Sequence, residues 1–161
     1  LSVAMIKDEN FKLKEEDFNI SKMLEKIYKK HNGLAEDKKI EIIPNIQDSY
    51  NYKGDERLLE KAISNIVGNA ITYSPSKEKV FITFKDNIIN IENTGIHIEE
   101  ENLKQLFDPF FRIDKSRSRN TGGSGLGLYI AKTVFDYHKI QYKIENTKRG
   151  VLFTIILPSN R

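Results

Sequence analysis

Residues 55–73 read DERLLEKAISNIVGNAITY, and this stretch decides the fold. Asp55 is a natural helix cap. Leu58, Leu59, Ala62, Ile63, Ile66, Val67 and Ala70 then recur at three- and four-residue steps, so at 3.6 residues per turn they fill one wide apolar arc. That arc is the core face of an amphipathic helix ending near Tyr73, because Pro75 follows and biases Ser74 away from helix. Asn65 and Asn69 lie one turn apart at the edge of the arc. Asparagine is a poor helix former. Two of them, stacked at i and i+4 beside a core, can offer amide oxygens in one direction, and such hard oxygens suit Mg2+. The plainer reading is a polar pair on a half-exposed helix edge.

Working outward from this helix, the pattern is mixed. Ser21 is read as the cap of an earlier helix, with Met23, Leu24, Ile27, Tyr28 and Leu34 at helical spacing up to about Lys38. Ile40 to Ile43 reads as a short strand ended by Pro44, and Asn51 to Lys53 as another. Val80 to Lys85 and Ile88 to Asn93 alternate as strands do, around an Asp86-Asn87 turn. A short helix is expected over 99–106. Residues 108–124 are polar, basic and rich in glycine, and a loop that long in a domain is commonly functional or disordered. A helix then spans about 125–138, followed by strands at 141–145 and 151–157. The strands fall mostly in neighbouring pairs. This favours a two-layer α/β (α+β) sandwich, in which a mixed, largely antiparallel sheet packs on about three helices. Residues 1–13 read as a linker or the end of a preceding helix, and 14–161 as one domain.

Bulk properties narrow the class. The chain has 161 residues, 39% hydrophobic and 30% charged, which fits one domain with a real core. A net charge of +3 is too small to argue for nucleic acid, so no nucleic-acid partner is expected. The absence of cysteine excludes disulfides and thiolate metal sites. No apolar run approaches the roughly 20 residues needed to span a bilayer. No direct membrane contact by this domain is expected.

Three further stretches carry candidate chemistry. Gly122-Gly123-Ser124-Gly125-Leu126-Gly127-Leu128 stands where the long loop becomes a helix. Glycines let a backbone pass close to a ligand, and N–H groups at a helix start attract anions. No Gly-Lys-Ser/Thr follows, so this is not a Walker loop. As plain structure it is a flexible hinge. Glu92-Asn93-Thr94-Gly95 ends a strand, where a polar side chain could reach a purine amine, although alone it reads as a turn. Phe107-Asp108-Pro109-Phe110-Phe111-Arg112 reads as a hydrophobic anchor for the loop, and Arg112, Lys115, Arg117 and Arg119 add positive charge to it.

Taken together, these stretches resemble the ATP-binding catalytic domain of sensor histidine kinases, within the superfamily of DNA gyrase, heat-shock chaperones and MutL. Asn65 to Ala70 is similar to the N box, Asn93-Thr94-Gly95 to the first glycine box, Phe107 to Arg112 to the F box, and Gly123 to Leu128 to the second glycine box. The resemblance covers about 13–158. It implies that ATP lies between the Asn65–Asn69 helix and a lid formed by 94–124. Asn69 would ligate Mg2+, and Asn65 would support the phosphates or a metal-bound water. Tyr73 would pack on the adenine, Asn93 would bond its amine, and Gly95 belongs to the same box. Amides over Gly123, Gly125, Leu126 and Gly127 would hold phosphates, with Arg112 and Arg117 near the γ-phosphate. The implied partners are a dimerisation and phosphoacceptor helical domain of the same full-length protein, and a response regulator. The implied location is a cytoplasmic domain of a membrane-bound sensor.

This sequence also departs from the family pattern. Position 65 lacks the acid that the hydrolases of the superfamily carry there, and an amide cannot accept a proton. Slow hydrolysis and transfer to an external histidine are therefore expected. His31, His97 and His138 lack the acceptor pattern and read as surface residues, so the domain is not expected to phosphorylate itself. Asn93 stands where most members have Asp, His97 where a glycine is frequent, and Thr72 where a lysine is common. Two alternatives share these features: an anti-sigma-type serine kinase, and a non-catalytic nucleotide sensor.

Overall fold

In chain order the elements are β1 (Glu16–Asn19), α1 (Ile20–Lys38), β2 (Glu41–Ile46), β3 (Asn51–Gly54), α2 (Glu56–Tyr73), β4 (Lys79–Lys85), β5 (Ile88–Thr94), α3 (Glu100–Leu103), α4 (Gly127–Tyr137), β6 (Gln141–Asn146) and β7 (Gly150–Ile156). They come from a computed structural model that describes residues 8–47, 49–113 and 125–158. Five strands form one sheet in the order β2-β4-β5-β7-β6, and β1 pairs with β3 in a separate two-stranded ladder. Only the β2–β4 pair of the large sheet is parallel. The expected two-layer sandwich with a mixed, largely antiparallel sheet is the architecture found.

The period of two explains the layering. Val80, Ile82 and Phe84 on β4, Ile89 and Ile91 on β5, and Val151, Phe153 and Ile155 on β7 are buried. Phe81, Thr83, Asn90, Glu92 and Leu152 alternate with them on the other face and are half-buried. The helices cover the first face. α2 touches both α1 and α4, and its buried stripe is Leu58, Leu59, Ala62, Ile63, Ser64, Ile66, Val67, Ala70 and Ile71. The apolar arc read from the sequence is thus the packing face, and Asn65 and Asn69 are half-buried at its edge.

Several boundaries differ from the sequence reading. Asn19, not Ser21, caps α1: its side chain accepts from the Lys22 amide at 3.1 Å, while Ser21 is buried within the helix. β2 runs through Pro44 instead of stopping there. β2 is an edge strand hydrogen-bonded only to β4, so the missing N–H leaves no ladder partner stranded. The helix expected over 99–106 is a single turn, α3. Phe11 and Leu13, in the stretch read as linker, pack against the core, and the Phe11 ring meets Tyr137 edge-on at 5.4 Å.

His138 is buried, at 8% exposure, and not at the surface. Its Nδ1 lies 2.7 Å from the Val134 carbonyl, and its Nε2 accepts the Asp55 amide at 3.0 Å. The first contact requires a proton on Nδ1 and the second requires a lone pair on Nε2, so the ring is neutral. Burial pushes the His138 pKa down, against smaller opposing effects of the Val134 carbonyl and the Asp55 and Glu15 carboxylates. His97 is exposed as expected, and His31 is half-buried with Nδ1 on the Ile27 carbonyl at 2.8 Å.

Candidate functional site

The carboxyl half of α2 forms one wall of a cleft of about 940 Å³, within the size range of small-molecule sites. Asn65, Asn69, Thr72 and Tyr73 face it from α2, and Asn93 from the end of β5. Ile91, Ile144, Val151 and Phe153 supply apolar surface from the sheet. Ile96, His97 and Ile98 after β5, Phe111, Arg112 and Ile113 before the long loop, and Gly125, Gly127 and Leu128 at its return also line it.

The structure therefore brings together Asn65, Asn69, Tyr73, Asn93, Arg112, Gly125 and Gly127. Gly95 and Leu126 are not among the residues lining this cleft. Gly95 makes the turn after β5 at φ 88°, where an added Cβ would sit 2.5 Å from the Glu78 side chain. Leu126 is the residue before α4. Arg117 and Gly123 lie outside the described residues.

Each carboxamide has a distinct setting. Asn65 Nδ2 donates to the Gly127 carbonyl at 3.2 Å, tying the glycine turn to α2, and its Oδ1 has no partner among the described residues. Asn69 makes no side-chain hydrogen bond to another described residue, so among these its oxygen has no competing donor. Asn93 is 8% exposed, and its side chain also makes no hydrogen bond among the described residues. The Asn93 amide lines the cleft, where a ligand with complementary groups can pair with it.

The glycine turn has its own geometry. The Phe110 amide donates to the Gly125 carbonyl at 2.9 Å, joining the two ends of the segment between them. Gly125 adopts φ 79°, and an added Cβ would lie 2.7 Å from the Phe110 backbone, so only glycine fits. Leu126 at the cap position of α4 makes no side-chain cap bond, so the cap residue supplies no acceptor to the first N–H groups of that helix. Such an end attracts anions. The anchor expected at 107–111 is made mainly by Phe107, which packs edge-on against Tyr142 and Phe153. Phe110 is 70% exposed, and Phe111 lines the cleft.

Sequence reasoning missed Lys38. It is the last residue of α1, yet its Nζ reaches the carboxyl end of α2 and lines the cleft beside Tyr73. A lysine in the last turn of a helix is a familiar signal, but nothing local shows that it serves a neighbouring helix.

Comparison with known proteins agrees with this fold. Residues 54–161 match the family described as histidine kinase-, DNA gyrase B-, and HSP90-like ATPase. The chain is 35% identical over 147 residues to the sensor protein VanSB of Enterococcus faecalis, covering 89% of this chain and 33% of that protein. It thus spans about a third of the length of this curated relative. The solved catalytic domain of the histidine kinase ThkA superposes with a TM-score of 0.79 at 25% identity, covering 92% of this chain and 99% of that one. ThkA in complex with the response regulator TrrA matches at TM-score 0.74 and 22% identity, over 94% of this chain and 44% of that one. The chain belongs to the histidine kinase-, DNA gyrase B- and HSP90-like ATPase family, and within it is an ATP-binding catalytic domain of the sensor histidine kinase kind.

Proposed function

We propose that this domain aligns Mg-ATP for transfer of the γ-phosphate to a histidine on a separate helical dimerisation domain of the same full-length protein. A response regulator is the onward acceptor. Residues 1–13 are the connection to that helical domain and 14–161 the catalytic unit, held inside the cell beneath a membrane-bound sensor. No helix among the described residues is long and apolar enough to cross a membrane.

The residues fit a metal-bound nucleotide. Among the described residues no three His, Cys, Asp or Glu side chains cluster as a metal site. Asn69, which lines the cleft and whose amide has no partner among the described residues, would be the protein ligand for Mg2+, with phosphates and waters supplying the other oxygens. The bound ion would neutralise phosphate charge. Tyr73 packs on the base, Asn93 accepts from its amine, and Gly95 holds the turn that presents Asn93. The uncapped start of α4, with the amides of Gly125, Leu126 and Gly127 and that of Gly123 ahead of them, cradles the phosphates. Arg112 at the cleft and Arg117 in the lid add charge where it develops in the transition state.

One observation carries the choice of acceptor. Position 65, one turn before the metal asparagine, holds an amide whose Nδ2 is already committed to the Gly127 carbonyl. It cannot take a proton from water, so hydrolysis is slow and the phosphoryl group waits for a better nucleophile. The test supplies radiolabelled ATP and Mg2+ to this domain, with and without the separately produced helical domain. Label is expected only on the helical domain, stable in base and labile in acid. Acid-stable label, or rapid release of inorganic phosphate by the domain alone, contradicts the proposal.

A further inference from the structure

The carboxyl end of α2 forms part of the cleft wall, through Thr72, Tyr73 and Ser74. The last carbonyls of a helix have no intrahelical partners and carry about half an elementary negative charge. A polyphosphate is a poor neighbour for such an end. α2 itself offers no remedy, since its last turn has no basic residue and position 72 is threonine. The remedy comes from another helix. Lys38 Nζ donates to the carbonyls of Ile71 at 3.0 Å, Ser74 at 3.1 Å and Thr72. An ammonium has three protons, and all three are used here. The Ser74 hydroxyl and amide separately serve the Ala70 and Ile71 carbonyls, at 2.5 and 3.3 Å. The ammonium is half-buried, and burial lowers its pKa.

We propose that Lys38 is a positioning residue of the nucleotide site, holding the last turn of α2 and cancelling its negative end so that the cleft accepts a polyphosphate. The proposal rests on the reading of this cleft as the ATP site. With its protons committed to carbonyls, Lys38 acts through the electrostatics of α2 and the placement of Tyr73, not as a direct phosphate ligand. A lysine serving stability alone would change melting temperature without distinguishing charged from neutral ligands.

The test compares dissociation constants for ATP and for uncharged adenosine in wild type, Lys38→Met, Lys38→Gln and Lys38→Arg. Measurements are made at low salt and at a temperature where each protein is folded. Lys38→Met and Lys38→Gln are expected to weaken ATP about fivefold more than adenosine, the scale of one charge at a helix end. Lys38→Arg is expected to keep the wild-type ratio within about twofold. Should Lys38→Met not fold, Lys38→Gln carries the comparison, because it removes the charge and keeps two amide donors for these carbonyls. An unchanged ATP-to-adenosine ratio in the neutral variants overturns the proposal, even with a lowered melting temperature. Wild-type protein that binds neither ligand removes the nucleotide reading itself, and this inference with it.

Discussion

Two helices begin in opposite ways in this molecule. The amino end of α2 is sealed. Asp55 is buried, its Oδ1 accepts from the Leu58 amide at 3.2 Å, and its Oδ2 accepts from the Lys14 amide at 3.0 Å. Its own amide is held by His138. One residue thus joins the incoming strap, the central helix and the carboxyl end of α4. The amino end of α4 is open. Leu126 offers no side-chain acceptor, and the turn before it is glycine at a conformation only glycine tolerates. The difference separates two uses of the same backbone chemistry. Where the cap residue supplies the acceptor, the helix end serves stability; where it supplies none, as at Leu126, the end suits the ligand phosphates of the proposed function.

The contrast can be broken at the sealed end first. Asp55→Ala removes a buried helix cap and a second, part-buried bond to the strap, for a combined loss of about 3 kcal/mol. Chemical denaturation should show that loss, while ATP affinity of the folded variant stays within about twofold of wild type. A large loss of affinity in folded protein would mean the two ends are not separable. The open end is tested by Leu126→Asp, which places a carboxylate where the proposed function puts the phosphates. ATP affinity should fall about tenfold, from like charge at that site, with the melting temperature unchanged or raised. Unaltered ATP binding would show that the start of α4 is not a phosphate cradle.

A smaller effect should appear in the pH dependence of stability. The pKa of His138 is lowered on folding, chiefly by burial. The unfolded chain therefore binds the proton more readily than the folded one. The contribution of His138 is fully present above the unfolded value of about 6.5, and it is lost as pH falls through the depressed folded value. Asp55 and Glu15 oppose the shift, and Tyr52, beside the ring, is pushed up to about 12 by its own burial and stays neutral throughout. Denaturation midpoints from pH 7.5 to 5 should fall more steeply for wild type than for His138→Gln. Parallel curves would remove the neutral-histidine seal.

Much of this was legible in the sequence because the signals are local. The stripe from Leu58 to Ala70 gave the central helix, and the alternation in β4 and β5 gave the sheet. The i, i+4 spacing placed Asn65 and Asn69 side by side, and the cleft gathers Tyr73, Asn93, Arg112, Gly125 and Gly127 around them. What was not legible depends on partners distant in the chain. His138 looks like a surface histidine until the Asp55 amide, 83 residues away, is seen on its ring. Lys38 looks like an ordinary last-turn lysine until the carbonyls of α2 appear more than 30 residues on. Pro44 reads as a stop because the sequence does not show that β2 is an edge. Asn19 and Ser21 are both good caps, and the backbone of β1 decides between them.

The central claim is that the amide of Asn69 and the start of α4 meet on one Mg-ATP. It is tested most directly by titrating ATP, with and without Mg2+, into wild type and Asn69→Ala. Wild type should bind more tightly with Mg2+, and Asn69→Ala should lose that gain while keeping its metal-free affinity. Equal Mg2+ dependence in the two proteins would contradict the claim.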